Sequence, residues 1–515
     1  MSARPPNILF IVLDTLRRDR LSAYGHRRET SPRLDEFAAR SVVYERAVAP
    51  AQWTIPSHAS MFTGLYPSTH GLAQANGMLP ASIPTLAELL RGAGYRTTAF
   101  CNNPLVGVLN NGLQRGFERF YNYASAAPFR PVEARRGRLQ QQLLRLFRRH
   151  FARPLGNQFA HSDFLFRASL NPVFVPLWTR LINYKGHTAH SITDLIDFWG
   201  EHHRGGAERP LFAFLNLMGS HLPYNPPQDA LDRIAPHLRR EPQAYRFMRR
   251  FNAEAERWAS PTDPPLADWE QAALQDFYDA EIAHQDTHLG RLLEALAASG
   301  QMENTLILIC ADHGEGHGDH RFFGHGFVVH QELVHVPLVI RHPDWNSSGR
   351  RSEAVVSTRR IFHTLLEATR INAPGMTTAE TAAHSLLRAV DDGADPDRGL
   401  AMAEAFPPLT FLKVIEHRAP ALIPQLSLRG VRRALYEGTD KLTVIDQKVD
   451  ALYDVAADPA EGRDLAAERA GRAAELQRKL ATLVSRAELL QPELAAAAPV
   501  DDSVVEHLRA LGYIE

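Results

Sequence analysis

The chain has 515 residues, a formal net charge of -1 and two cysteines. This length suits one large α/β domain with a smaller companion and a sizeable buried core. The balanced charge excludes a general attraction to polyanions, so we expect no nucleic-acid partner. Cys101 and Cys310 both lie in apolar runs, which predicts buried thiols and no disulfide framework.

Apolar runs alternate with amphipathic segments along most of the chain. The first run, at 7–13, is rich in β-branched residues, which is typical of a central parallel strand covered on both faces. Similar runs predict strands at 42–48, 95–101, 211–217, 305–310 and 336–341. Helical patterns lie between them at 32–40, 86–93, 188–199 and 271–296. This alternation predicts an α/β fold with a mostly parallel sheet flanked by helices.

The C-terminal part has a different pattern. Residues 427–444 alternate as antiparallel strands do, 451–465 are rich in turn residues, and 469–489 have a helical pattern. We therefore predict a main domain over residues 1–372 and a smaller α+β subdomain over residues 373–515.

The segment 129–182 interrupts the main domain. Its first part is basic with interleaved leucines, and its second part is apolar and aromatic. We interpret it as an insertion that forms a lid, an oligomer contact or a membrane-surface helix, with a solvated helix packed on the domain as the alternative. No signal-peptide pattern and no bilayer-length apolar run is visible, so we expect a cytoplasmic protein.

Polar residues that can bind metal or transfer protons follow the predicted strands. In open α/β sheets, ligands bind beyond the carboxyl ends of the strands, so we expect these residues to converge. They are Asp14, Thr54, His221, Asp312, His313 and His325. Singly, each is weak evidence, since Asp14, for example, would also suit a helix N-cap.

Thr54 lies at the start of a short predicted helix. Pro56 suits its first turn, and Gly64 ends it. A hydroxyl at a helix N-terminus lies in a positive field beside free N–H donors, which favours attack on an anionic ester. A simple N-cap threonine is the alternative interpretation.

Four of these residues form a plausible divalent-metal site. Asp14, Asp312 and His313 suit zinc or manganese, with calcium or magnesium as alternatives. Thr54 would join them as a ligand if the ion lowers the pKa of its hydroxyl. His221 and His325 would then stabilise the oxygens of the transferring group or protonate the leaving group.

In these motifs the sequence resembles the sulfatase branch of the alkaline phosphatase superfamily. The family's opening strand and first helix match N-I-L-F-I-V-L-D and T-S-P-R-L-D-E-F-A. Its nucleophile motif matches T-I-P-S-H-A-S-M-F-T-G-L-Y-P, and its second metal segment matches A-D-H-G-E. Its C-terminal region matches A-L-Y-D-V-A-A-D-P-A-E and L-R-A-L-G-Y-I. The resemblance implies a sulfatase-like fold with a catalytic main domain that hydrolyses phosphate or sulfate esters.

The departures from the sulfatase pattern concern the chemistry. Sulfatases use a cysteine or serine that is oxidised to formylglycine, whereas Thr54 cannot form that aldehyde because its Cβ carries a methyl group. His58 replaces an arginine, Thr15 an aspartate, His313 an asparagine and His325 a lysine. Such Thr/Asp/His sites resemble those of superfamily phosphodiesterases, phosphoethanolamine transferases and lipoteichoic acid synthases.

The resemblance therefore implies a metal-dependent phosphoesterase without formylglycine. Thr54 would attack phosphorus and form a phosphothreonine, with a phosphodiester or phosphonate monoester favoured over a monoester as substrate. The substrate is a small anionic ester and could be lipid-like. Five further residues are secondary candidates for substrate or supporting contacts, each with a structural role as the alternative: His58, His70, Lys185, His317 and His320.

Three other functions stay open at this point. One is a sulfate-ester hydrolase that uses Thr54 directly. Another is a transferase that passes the phospho group to an alcohol. The third is an inactive binding protein that keeps the fold. The sequence also leaves open whether one or two metal ions bind, and the oligomeric state.

Overall fold

The structure is a computed structural model that describes residues 5–107, 109–123, 185–204, 209–253, 265–344, 349–388 and 395–492. The proposed insertion at 129–182 and the C-terminal L-R-A-L-G-Y-I motif lie outside the described residues. Within these ranges, no helix combines the length and the apolar character needed to cross a bilayer.

The main sheet has nine strands. In chain order they are β1 (Asn7–Leu13), β2 (Val42–Val48), β3 (Arg96–Cys101), β4 (Arg119–Asn122), β5 (Leu211–Leu217), β6 (Thr305–Cys310), β9 (His335–Val336), β10 (Leu338–Arg341) and β11 (Arg350–Ser357). Their order across the sheet is β11-β2-β10-β6-β1-β5-β3-β4, with β9 beside β2.

Strand β1 is the centre of this sheet. It pairs in parallel with β5 on one side and with β6 on the other, so that Val12 lies between Asn216 and Cys310. All of β5 and β6 and nearly all of β1 are buried, because helices cover both faces. This burial explains the continuous apolar runs. It also brings the carboxyl ends of the three strands, with the polar residues that follow them, to one edge of the sheet.

Fifteen helices accompany the sheets in the described ranges. They are α1 (Pro32–Ala38), α2 (Thr54–Thr63), α3 (Pro67–His70), α4 (Leu86–Gly92), α5 (Pro104–Gly107), α6 (Thr188–Arg204), α7 (Gln228–Ile234), α8 (Pro242–Ala253), α9 (Asp268–Ala298), α10 (Gln331–Val334), α11 (Ile361–Ala368), α12 (Thr378–Ala383), α13 (Leu409–Arg418), α14 (Leu422–Gln425) and α15 (Ala470–Leu489). Short 3-10 turns lie at Arg18–Arg20, Ser22–Tyr24, Pro236–Arg240, Gln301–Asn304 and Thr358–Arg360.

A second, four-stranded antiparallel sheet lies in the C-terminal region. Its strands, in spatial order, are β12 (Leu400–Ala405), β13 (Arg432–Glu437), β14 (Asp440–Ile445) and β15 (Lys448–Asp454). Helix α15 packs on this sheet through Leu476 and Leu480. A small hairpin of β7 (Gly316–His317) and β8 (Phe323–Gly324) follows β6.

The two sheets meet next to the segment that leads into α2. Ala51 forms a parallel bridge with Glu404 of β12, whose backbone N–H also donates to the Pro50 carbonyl at 3.0 Å. The Gln52 amide donates to the carbonyls of Gly326 and Phe406. One apolar cluster joins Val48 and Val355 of the main sheet to residues of β12.

The predicted fold class is confirmed: a mostly parallel sheet flanked by helices, with a C-terminal antiparallel sheet. The two cysteines are free and buried, as expected. Two details differ. Residues 451–454 are the end of β15 and only the residues after them form turns, while the strand predicted at 336–341 is divided between β9 and β10, which run antiparallel to their neighbours. The division of the chain near residue 373 stays a prediction.

Candidate active site

Asp14 is the first residue after β1, and its two carboxylate oxygens have different surroundings. Oδ2 accepts a hydrogen bond from Asn103 Nδ2 at 2.6 Å and another from Asn216 Nδ2 at 3.3 Å. Oδ1 has no hydrogen-bond partner, although the residue is fully buried. A buried carboxylate oxygen without a donor is costly, so Oδ1 is available for a cation.

Asp312, two residues beyond β6, repeats this arrangement. Its Oδ1 accepts from the backbone N–H groups of Thr15, at 3.3 Å, and of His313, at 3.0 Å. Its Oδ2 has no hydrogen-bond partner. Thr15 therefore contributes through its backbone at the place where its side chain replaces the second opening aspartate of the sulfatase pattern.

His313 directs an imidazole nitrogen at both free oxygens. Its Nδ1 lies 2.8 Å from the Gly314 carbonyl, so Nδ1 carries the proton and Nε2 presents a lone pair. Nε2 lies 3.3 Å from Asp312 Oδ2 and 4.0 Å from Asp14 Oδ1. An acceptor nitrogen facing two acceptor oxygens is the arrangement that a divalent cation resolves.

Burial shapes the titration of these three residues. Burial raises the pKa of Asp14 to about 6, against the donors from Asn103 and Asn216. The pKa of Asp312 is raised further above its usual range by burial and by the charge of Asp14, and the pKa of His313 is lowered by burial. Two carboxylates and one imidazole whose ligand atoms lie within 4.8 Å of one another therefore fit a divalent metal.

Thr54 is the first residue of α2, and the N-cap position belongs to Trp53. The alternative that Thr54 is only an N-cap is thus wrong. Its Oγ1 lies 3.3 Å from His313 Nε2 and 3.5 Å from Asn103 Nδ2. The hydroxyl is buried and adjoins the candidate metal-binding cluster, a position that suits a nucleophile.

His325 and His221 lie beside His313. The ring centroid of His325 is 4.5 Å from that of His313 and 5.3 Å from that of His221. Burial opposes the charged form of His325, but the charge of Glu315 and its hydrogen bond to Nδ1 at 2.8 Å raise the pKa. Burial lowers the pKa of His221 to about 4, and its Nδ1 lies 2.7 Å from the Leu222 carbonyl.

Two secondary candidates lie on or near α2 and are fully buried. His58 Nδ1 donates to the Thr54 carbonyl at 2.9 Å, and its Nε2 lies 3.3 Å from Asn216 Nδ2. His58 therefore contacts the site through the Thr54 backbone and the Asn216 side chain. His70 Nδ1 accepts from the Leu72 N–H at 3.1 Å, and its Nε2 lies 3.1 Å from Ser60 Oγ. Both nitrogens of His70 are used in local contacts.

The other three secondary candidates contact different groups. Lys185 Nζ lies 3.0 Å from Glu281 Oε1 and donates to the Pro223 carbonyl, next to the loop of His221. The Nε2 of His317 lies 3.1 Å from the Tyr224 hydroxyl, which also donates to Glu315. His320 hydrogen-bonds to Glu332 and to the Ala460 carbonyl, in a separate cluster.

Three residues at the site were missed from the sequence: Asn103, Asn216 and Glu315. Asn216 had a signal, because it is the only polar residue in the otherwise apolar β5, L-F-A-F-L-N-L. Asn103 follows β3 at the same edge of the sheet. Glu315 belongs to the A-D-H-G-E motif, but the sequence pattern does not show that its side chain contacts His325, which lies ten residues later.

Comparison with known proteins identifies the family of this chain. The sulfatase family model matches residues 6–371. The chain is 24% identical over 390 residues to an arylsulfatase of Clostridium perfringens, covering 72% of this chain and 76% of that protein. It is 27% identical over 419 residues to a mouse (Mus musculus) steryl-sulfatase, covering 72% and 63% of the two chains.

Solved structures share the whole fold. A phosphonate monoester hydrolase of Agrobacterium radiobacter has a TM-score of 0.64 at 22% identity, covering 96% of this chain and 100% of that one. A second one, from Silicibacter pomeroyi, has a TM-score of 0.58 at 20% identity, covering 93% and 95%. Since the family model extends over most of the chain and over the residues described above, the protein belongs to the sulfatase family and is a hydrolase of sulfate or phosphate esters.

Proposed function

We propose that the protein hydrolyses a phosphodiester or a phosphonate monoester through a covalent intermediate on Thr54. The observation that carries the proposal is the position of the Thr54 hydroxyl, 3.3 Å from the nitrogen of His313 that faces two unpartnered carboxylate oxygens. Sulfatases and phosphonate monoester hydrolases share this fold, so the fold does not choose between them. The identity of the nucleophile favours direct attack, because threonine cannot be oxidised to formylglycine.

Asp14, Asp312 and His313, with Thr54 Oγ, would hold a divalent ion, for which zinc or manganese is the best match to the ligands. Such an ion supplies a lower pKa for the hydroxyl and charge compensation for the ester oxygens. In Asp14 and in Asp312, one carboxylate oxygen is fixed by N–H donors and the other is free. The two side chains therefore need little reorganisation when the ion binds.

In the first step, Thr54 Oγ releases its proton to solvent and forms a bond to phosphorus, while the bond to the leaving oxygen breaks and that oxygen takes up a proton. The ring centroid of His325 lies 4.5 Å from that of His313 and 5.3 Å from that of His221. His325 and His221 can hydrogen-bond to the ester oxygens or protonate the leaving alkoxide. In the second step, water attacks phosphorus and gives up a proton, the bond between phosphorus and Thr54 Oγ breaks, and Thr54 Oγ takes up a proton in its place.

The charges around the site favour a singly charged ester group. Within the described ranges, no lysine or arginine side chain hydrogen-bonds to Thr54 or to the two aspartates. Lys185, the lysine near His221, is paired with Glu281. Two carboxylates and one divalent ion sum to zero charge, so a dianionic monoester would find little compensation. We therefore favour small, singly charged esters.

The test uses three aryl substrates with a common 4-nitrophenol leaving group: a phosphodiester, a phosphonate monoester and a sulfate. We expect one of the two phosphorus esters to be the best substrate, and Thr54→Ala to lower its kcat/KM by about 10⁴-fold or more. Thr54→Ser, which keeps the hydroxyl, is the matched control and should retain part of the activity. Acid quenching during turnover should trap a phosphorylated or phosphonylated Thr54 peptide, detected by mass spectrometry.

A sulfate ester hydrolase without formylglycine is the second candidate, favoured by the sulfatases among the relatives. Faster turnover of the aryl sulfate, lost in Thr54→Ala, would establish it and overturn our proposal. A phospho-group transferase would instead yield the alkyl ester product when an acceptor alcohol is added.

A further inference from the structure

Asn103 lies in the first turn after β3, with 1% of its surface exposed. Its Oδ1 accepts from the Leu105 backbone N–H at 2.8 Å, which fixes the amide orientation. Its Nδ2 therefore faces the site, 2.6 Å from Asp14 Oδ2 and 3.5 Å from Thr54 Oγ1. One amide group thus contacts both the nucleophile and a metal-ligating carboxylate.

The contact with Asp14 determines which oxygen is free. Asn103 and Asn216 both donate to Oδ2, and Oδ1 is left without a partner. Without the shorter of these two bonds, the carboxylate could rotate and offer either oxygen. Groups that fix a metal-ligating side chain in this way commonly change metal affinity or activity by about 10–100-fold when removed.

The contact with Thr54 directs the hydroxyl. Because Nδ2 is a donor, it faces a lone pair of Oγ1, and the hydroxyl proton is turned away from the amide. With a metal bound, that proton cannot go to His313 Nε2, whose lone pair would be used by the ion. One lone pair of Oγ1 thereby faces the amide hydrogen, and the other faces the open side of the site. The amide is uncharged, so it can orient the hydroxyl without forming an ion pair with the ionised Thr54 oxygen, as a lysine or arginine would.

We propose that Asn103 is a positioning residue for the reaction: it selects the Asp14 oxygen that faces the metal and orients the Thr54 hydroxyl. This inference rests on the proposed role of Thr54. The effect acts through the amide Nδ2, and the hydrogen bond from Leu105 to Oδ1 is a separate, local stabilisation of the turn that begins α5.

Asn103→Ser separates the two roles. Serine can still accept the Leu105 N–H as a cap residue, but it carries no amide to reach Asp14. The matched control is Asn111→Ser. Asn111 is equally buried, accepts from the Leu113 N–H at 3.2 Å and donates to the Leu105 carbonyl at 2.7 Å, with no contact to the site.

The first readout is Mn²⁺ binding to the metal-stripped full chain, measured by titration without substrate. We expect the dissociation constant to rise about 10–100-fold in Asn103→Ser and to stay within about 2-fold in Asn111→Ser. The second readout is kcat at saturating Mn²⁺, which should fall in Asn103→Ser with KM nearly unchanged. Far-UV circular dichroism of each variant verifies that it is folded.

Wild-type Mn²⁺ affinity and wild-type kcat in a folded Asn103→Ser would overturn the inference. An equal loss of Mn²⁺ affinity in Asn111→Ser would also overturn the inference, because the effect would then come from a general loss of packing. If Thr54→Ala keeps its activity, the proposed function fails, whereas the Mn²⁺ titration still decides whether Asn103 fixes Asp14.

Discussion

Two clusters of histidine and carboxylate lie in the described part of the chain, and they are built from the same residue types. The catalytic cluster is Asp14, Asp312 and His313. The junction cluster joins His320 and His330, in the segment between β7 and α10, to Glu461, in the segment after β15. In each of them the potential ligand atoms lie within 4.8 Å of one another.

The clusters differ in how their charges are paired. In the junction cluster, Lys441 forms an ion pair with Glu461, whose other oxygen accepts from the Gln331 N–H at 3.0 Å. His320 hydrogen-bonds to an acceptor through each ring nitrogen, and its ring stacks on that of His330 at 3.9 Å. Among the described residues, no lysine or arginine pairs with the catalytic cluster, and one oxygen of each of its aspartates has no hydrogen-bond partner.

Residue type alone therefore does not separate a metal site from a structural ion network. Two buried carboxylates left without a cation indicate a site that is completed by one. A carboxylate already paired with lysine stabilises the contact between two parts of the fold. The following predictions separate the two clusters, beginning with the largest effect.

Asp312→Asn should abolish the function of the catalytic cluster without weakening the fold. We expect kcat/KM to fall by about 10³-fold, or about 4 kcal/mol of transition-state stabilisation, because one ligand is lost. The metal-free variant should be at least as stable as the metal-free wild type, since a buried like-charge contact with Asp14 is removed. Kinetics, metal analysis and urea unfolding measure the three quantities. If Asp312→Asn unfolded at lower urea concentration and still bound the metal, Asp312 would be a structural residue, and the contrast between the two clusters would be wrong.

Glu461→Gln should have the opposite effect. It leaves Lys441 buried without its ion-pair partner, which commonly costs about 3–5 kcal/mol of unfolding free energy. Turnover per folded molecule should stay near the wild-type value, because neither residue contacts the catalytic cluster. The double variant with Lys441→Met is the control, and it should be destabilised by less than the sum of the single variants. Additive losses would show that the two residues are not coupled.

The smallest expected effect is a dependence of stability on pH. Burial opposes the charge of His320, but the hydrogen bond and charge of Glu332, with the nearby Glu461 and the Ala460 carbonyl, raise its pKa. A pKa that is higher in the folded than in the unfolded state gives stabilisation that is complete below about pH 6.5 and is lost as the pH rises through the folded value.

Urea unfolding of wild type and His320→Gln between pH 5 and pH 9 tests this prediction. We expect the difference in unfolding free energy between the two proteins to be largest at the acidic end and to shrink as the pH rises. A difference that grows with pH would show that His320 is neutral in the folded protein.

Much of the site was predictable because the sheet is parallel. The apolar runs of β1 and β6 identify strands, and Asp14 and Asp312, one and two residues after them, must then meet at one edge. Thr54 was predictable from Pro56 and Gly64, which delimit α2. These predictions depend on local sequence together with one general rule of topology.

The remaining features depend on contacts between segments that are far apart in the chain. The sequence shows that His320 and His325 both follow the A-D-H-G-E motif, but not that one turns towards Glu332 and the other towards Glu315. Side-chain direction in these loops is decided by the hairpin of β7 and β8 and by packing against the C-terminal sheet. Periodicity is uninformative in such loops.

The bridge between Ala51 and Glu404 has a consequence for biosynthesis. The backbone that leads into Thr54 is completed by hydrogen bonds to a strand that lies 350 residues later in the chain. At ordinary rates of translation, that strand emerges on the order of tens of seconds after Thr54. The backbone that leads into Thr54 can therefore form these hydrogen bonds only after β12 has been synthesised, late in the production of each molecule.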